Sequence, residues 1–132
     1  LIGDLKDKTI GVLGLSFKPD TNDVRESPAL SIVPKLIELG AKVKVFDPVA
    51  IEEFKKTIKH LNLPIEYNTT AYECAENADA LVILTEWNEF RFLDLQQIKK
   101  LMKTPALVDM RNIYEPSILK KLGFKYTGIG RN

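Results

Sequence analysis

Lys18 and Arg25 stand in one polar stretch, 16–26, and Arg111 stands in another, 109–112. Cationic side chains carried on loops suit phosphate oxygens, and a guanidinium can clamp two of them with paired N–H bonds. A helix opening at Ser27 would add the partial positive charge of its first amides. The same residues also fit a solvated loop with local Lys–Asp and Arg–Glu pairs, and residue types alone leave both readings open. Gly11 and Gly14 stand where a dinucleotide fingerprint would begin, but its third glycine is missing, and Ser16 and Phe17 replace the tight turn into a helix. The alternative is that these glycines let neighbouring elements pack closely. Cys74, the single cysteine, is expected on the buried side of a short helix. His60 falls on a polar helix face and is expected to be exposed. No residue set is read as a metal site.

These side chains need elements to hold them. Thr9 to Leu15 is a short apolar, β-branched run and reads as a buried parallel strand. Ser27 and Pro28 open a helix whose apolar positions, Ala29, Leu30, Val33, Leu36 and Ile37, recur at helical spacing up to Gly40. Pro34 removes one hydrogen bond inside it and is expected to bend the axis. Further strands are expected at 42–46, 65–67, 80–85, 106–110 and 125–129, and further helices at 51–61, 70–77, 93–102 and 115–122. Alternating strands and helices predict an α/β, Rossmann-like three-layer αβα sandwich with a parallel sheet of five or six strands. Ligands of such sheets sit beyond the carboxyl ends of the strands. That rule selects 14–27, Asp47, 85–90 and 109–112.

Composition sets outer bounds. The 132 residues fit one domain, and 45% hydrophobic residues supply a core. With 19 basic and 18 acidic residues the net charge is +1, which gives no electrostatic reason to expect nucleic acid or a membrane surface as partner. One cysteine excludes an internal disulfide and fits a cytoplasmic setting. No apolar run approaches the ~20 residues of a membrane span. Residues 1–8 read as the tail of a preceding linker, and 9–132 as the folded domain.

Four blocks, in order, carry a resemblance: GLSFKPDTNDVRESPAL at 14–30, FDP at 46–48, ADALVILTEWNEF at 78–90 and VDMRN at 108–112. Together they resemble the C-terminal, UDP-sugar-binding domain of the UDP-glucose/GDP-mannose dehydrogenase family. The Phe-Lys-Pro form of the first block looks more like the UDP-glucose members than the amino-sugar members. The resemblance implies an NAD-dependent enzyme that oxidises C6 of a UDP-sugar twice, to the carboxylate, through a catalytic cysteine. That cysteine and the main NAD-binding domain belong to an earlier part of the family's chain, so this chain alone is expected not to turn over. Phe17, Lys18 and Arg111 match positions that hold the sugar nucleotide, and Arg25 matches one that reaches NAD. The implied partners are the UDP-sugar, an N-terminal NAD-binding domain of the same protein and, for the longer protein, a second copy in a homodimer. Asp47 reads as a turn-forming Asp-Pro, Trp87 as a packing or contact residue, and Asp109 as a support for the Arg111 loop. The rival readings are a stand-alone, non-catalytic nucleotide-binding module and a family member acting on another nucleotide sugar.

Overall fold

The computed structural model describes residues 3–128. Six strands form one sheet: β1 (Thr9–Leu13), β2 (Lys42–Phe46), β3 (Ile65–Tyr67), β4 (Ala80–Ile83), β5 (Ala106–Asp109) and β6 (Lys125–Gly128). The order is β3-β2-β1-β4-β5-β6, and every pairing is parallel. Strand order therefore reverses between β1 and β4, which places a topological switch point at their carboxyl ends. The sixth strand ends at Gly128; its expected last residue, Ile129, lies outside the described residues, as do Leu1 and Ile2.

Both faces of β1 are covered, which is why its apolar run is nearly unbroken. Ile10 and Val12 point into one cluster with Val43, Val45, Val33 and Phe54, beneath α1 (Ala29–Glu38) and α2 (Ile51–Ile58). Leu13 points into the other with Leu81, Ile83, Leu107, Phe90 and Ile98. That second face is covered by α3 (Ala71–Ala75), α4 (Asn88–Arg91), α5 (Leu95–Leu101) and α6 (Pro116–Lys121). The period-2 alternation of a strand thus divides one short segment between two cores.

Helix starts follow local chemistry. Ser27 Oγ accepts from Ala29 N at 3.2 Å, Thr70 Oγ1 from Glu73 N at 3.0 Å and Asp94 Oδ1 from Gln97 N at 3.2 Å. Each satisfies an amide that the first helical turn leaves without a carbonyl. α1 runs through Pro34 without interruption, and Gly40 N and Ala41 N close its end on Ile37 O and Leu36 O. Residues 59–61 tighten into a 3-10 turn after α2, where the sequence predicted continued α-helix. α4 was not predicted. Four residues are too few to display helical periodicity, and the sequence assigned no element between the strand expected to end at 85 and the helix expected from 93. β1 and β4 are each two residues shorter than expected, because the chain leaves the sheet early at the switch point.

The segment ahead of β1 rests on the fold. Leu5 packs against the α1-side core, Asp7 N donates to Gly40 O at 3.0 Å, and Lys42 N donates to Lys8 O at 2.8 Å.

Candidate functional site

β1 ends at Leu13, and the amides after it must find acceptors elsewhere. Gly14 turns the chain at φ +105°, with Thr85 so near that a Cβ would lie 2.5 Å from its Oγ1. Thr85 Oγ1 in turn donates to Ser16 O at 2.8 Å. The loops after β1 and β4 are thereby locked together across the switch point. Gly11 also serves close packing, because a Cβ there would lie 2.7 Å from Cys74 O of α3.

The next two amides go to Asp47, at the end of β2. Its Oδ2 accepts from Leu15 N at 2.8 Å, Ser16 N at 3.1 Å, Ser16 Oγ at 3.2 Å and Trp87 Nε1 at 3.3 Å. Its Oδ1 accepts from Val49 N at 2.9 Å and Ala50 N at 2.8 Å, just before α2. Asp47 does form the expected turn, but the turn uses only one of its oxygens. Trp87 is buried, with its indole N–H shared between Ser16 Oγ and Asp47. Burial, with the Asp47 charge behind it, pushes the Glu89 carboxyl above its ordinary range.

A dinucleotide's pyrophosphate would need the amides that follow β1. Here a carboxylate of the chain already holds them, and Thr85 closes the crevice beside it. The residues present therefore do not fit NAD at the switch point.

The segment 16–26 lies outside this closed crevice. Phe17 N donates to Asp23 O at 2.7 Å, while Phe17 as a residue is 43% exposed. Lys18 is exposed and makes no ion pair among the described residues. Arg25 turns back on Asp23, with Nε 3.1 Å from Oδ1 and Nη2 2.9 Å from Oδ2. That bonding holds the Asp23 carboxyl below its ordinary value. The local Arg–acid pair open at the sequence level thus exists, with aspartate rather than glutamate as partner. The Arg25 side chain is 88% exposed, so the pair is solvated and weak.

Arg111 follows β5. Asp109, fully buried, accepts from Arg111 N at 3.2 Å and Tyr114 N at 3.0 Å, and from Tyr126 Oη at 2.8 Å. It fixes the turn that presents Arg111. Glu86 Oε2 accepts from Arg111 Nε and Nη2, both at 2.7 Å. One edge of the guanidinium is therefore spent on Glu86, and Nη1 stays uncommitted among the described residues. The sequence reading missed Glu86 as the partner. The signal available was its place just past β4, whose neighbour is β5.

Phe17, Lys18 and Arg25 thus share one loop, and Arg111 joins it by a relay. Arg111 is held by Glu86, which lies between Thr85 and Trp87, and both of these bond to Ser16 beside Phe17. Among the described residues, no hydrogen bond links Arg111 directly to Phe17, Lys18 or Arg25. The edge presents an exposed aromatic ring, an unpaired ammonium and a half-paired guanidinium, which suits an anionic ligand with a flat group.

Cys74 is in the core, its Sγ 3.4 Å from Lys44 O, and burial pushes its thiol up to about 12. A thiol held protonated is no nucleophile at neutral pH. His60 is exposed. Among the described residues no group of three His, Cys, Asp or Glu side chains could hold a metal, and no helix is long and apolar enough to cross a membrane.

Residues 11–116 match the family model described as the UDP-glucose/GDP-mannose dehydrogenase family, UDP binding domain. The chain is 50% identical to a UDP-glucose 6-dehydrogenase of Rhizobium meliloti (strain 1021), over 98% of this chain and 29% of that protein. It is 44% identical to UDP-glucose 6-dehydrogenase TuaD of Bacillus subtilis (strain 168), over 99% of this chain and 28% of that protein. Among solved structures, a UDP-glucose dehydrogenase from Pyrobaculum islandicum superposes with a TM-score of 0.81 at 28% identity, over 99% of this chain and 27% of that one. The chain thus spans less than a third of the length of these relatives.

Proposed function

Since the chain belongs to the UDP-glucose/GDP-mannose dehydrogenase family as its UDP binding domain, we propose that it is the sugar-nucleotide half of an NAD-dependent UDP-glucose 6-dehydrogenase. In that reading Phe17, Lys18 and Arg111 bind the UDP-sugar. The Phe17 ring offers a flat surface, while Lys18 and the outward end of Arg111 face the diphosphate and sugar oxygens. Arg25 reaches NAD from the outer rim of the loop.

The closed switch point is the observation that carries this reading. Asp47 fills the place of a pyrophosphate, so the cationic edge outside it is left for a different nucleotide. NAD, which accepts the hydride in such enzymes, is then held mainly by an N-terminal domain of the same protein, outside these 132 residues. This chain's residues bind and orient substrate, and the reacting cysteine is supplied from elsewhere, since Cys74 is protonated and sealed in the core. We further propose a cytoplasmic, homodimeric full-length enzyme, consistent with a water-soluble charged substrate.

Calorimetry of the chain against UDP, UDP-glucose, GDP and NAD+ tests the reading. UDP and UDP-glucose should bind, more weakly than to a full-length enzyme because half of the cleft is missing. GDP should bind less well and NAD+ least, with no NADH formed from UDP-glucose. Binding of NAD+ in preference to UDP would overturn the assignment.

A further inference from the structure

Asp47 is 2% exposed, and a buried carboxylate is costly unless its lone pairs are matched by donors. Its Oδ1 is matched locally by the amides of Val49 and Ala50, and that suffices for a turn. Its Oδ2 reaches 32 and 31 residues back along the chain, to the amides of Leu15 and Ser16, and 40 forward to the indole of Trp87. A turn-former has no need of that second set.

What the second set fixes is specific. Leu15 and Ser16 are the last residues before Phe17 and Lys18. With the amides of 15 and 16 bonded to Asp47 and the carbonyl of 16 bonded to Thr85, the backbone leading into Phe17 has little freedom left. We infer that Asp47 is a positioning residue for the sugar-nucleotide site, an internal carboxylate that occupies the amides a phosphate would otherwise claim and so holds the Phe17–Lys18 segment in its binding geometry. This inference rests on the UDP-binding reading above. It also gives a chemical reason for the ligand's place: the buried charge repels a second anion from the crevice and leaves the outer edge to the diphosphate.

The isosteric change Asp47→Asn separates the two sets of donors. An amide keeps one accepting oxygen and replaces the other with an NH2 donor. It can serve Val49 and Ala50 or Leu15 and Ser16, but not both. Retention of the local turn would turn a donor toward the amides of Leu15 and Ser16 and release the loop.

The test is UDP affinity by calorimetry, well below the melting temperature, for the unaltered chain and Asp47→Asn. It is paired with amide hydrogen exchange at Leu15 and Ser16 in the unaltered chain, with and without UDP. The variant is expected to lose UDP affinity by about ten-fold or more, the effect of one charge-assisted bond, while still melting cooperatively. The two amides of the unaltered chain are expected to be protected before UDP is added. Equal UDP affinity in the folded variant would overturn the inference. So would fast exchange at Leu15 and Ser16 that slows only when UDP binds, a result that stands even where the variant does not fold. No UDP binding by the unaltered chain would instead sink the functional reading, with the exchange data still judging Asp47.

Discussion

Replacing Arg111 with lysine keeps a positive charge at the edge of the sheet but removes its shape. The guanidinium now gives two N–H groups to one oxygen of Glu86 and leaves Nη1 uncommitted among the described residues. A lysine can satisfy Glu86 or a ligand as a point charge, but cannot hold one while presenting a fixed edge to the other. The cost to folding should be small. The side chains are 39% and 25% exposed, so solvent screens the pair and its worth is about 0.2–1 kcal/mol. At this chain length ~1 kcal/mol moves Tm by roughly 3–5 °C, and some of the pair survives in the lysine variant. The cost to binding should be larger. A directed, charge-assisted bond contributes about 1.5–3 kcal/mol, so UDP affinity should fall roughly ten- to hundred-fold. In a full-length enzyme the same change should appear in kcat/KM for the sugar nucleotide, with KM for NAD+ unmoved. Glu86→Gln, which still accepts one N–H, should lose only a few-fold. The double variant should lose less than the sum, because the two residues act as one unit. Unchanged UDP affinity for Arg111→Lys, or strict additivity with Glu86→Gln, would refute this account and leave a surface ion pair with no part in binding.

Other outcomes follow from single features of the fold. Gly14→Ala places a Cβ 2.5 Å from Thr85 Oγ1 at φ +105°, so stability by denaturant melting should fall by more than about 2 kcal/mol. Cys74, with its thiol pushed to about 12 by burial, should react with a thiol reagent at pH 8 only as fast as the chain opens, and promptly in denaturant. Burial, and next the charge of Asp109, raises the Tyr114 hydroxyl above its ordinary 10.0. The native state then keeps a proton that the unfolded chain gives up, so this contribution to stability is whole below pH 10 and shrinks as pH rises beyond it. Melting curves for Tyr114→Phe should therefore decline less steeply with alkaline pH than those of the unaltered chain.

The sheet was legible because both faces of β1 and β4 are covered, which writes each strand as an unbroken apolar run that no surface helix would carry. Strand ends were less legible. The two residues after Leu13 are as apolar or small as those before it, and only Gly14 and its approach to Thr85 turn the chain away. Asp47 was legible as a turn from its neighbour Pro48, but its second set of donors lies 31 to 40 residues away, and no local pattern announces it. Glu86 could have been paired with Arg111 once strand order was known. β4 and β5 are neighbours, with Ile83 opposite Asp109, so a residue three beyond the first and one two beyond the second emerge side by side at the same edge. The Asp47 link follows from the same register, because Leu13 stands opposite Phe46 and the residue that follows β2 is Asp47 itself. Where adjacent parallel strands end in register, the first charged residue past one and the first free amides past the other must meet. Whether a ligand or the chain fills that meeting point then turns on one side chain, and here an aspartate fills it.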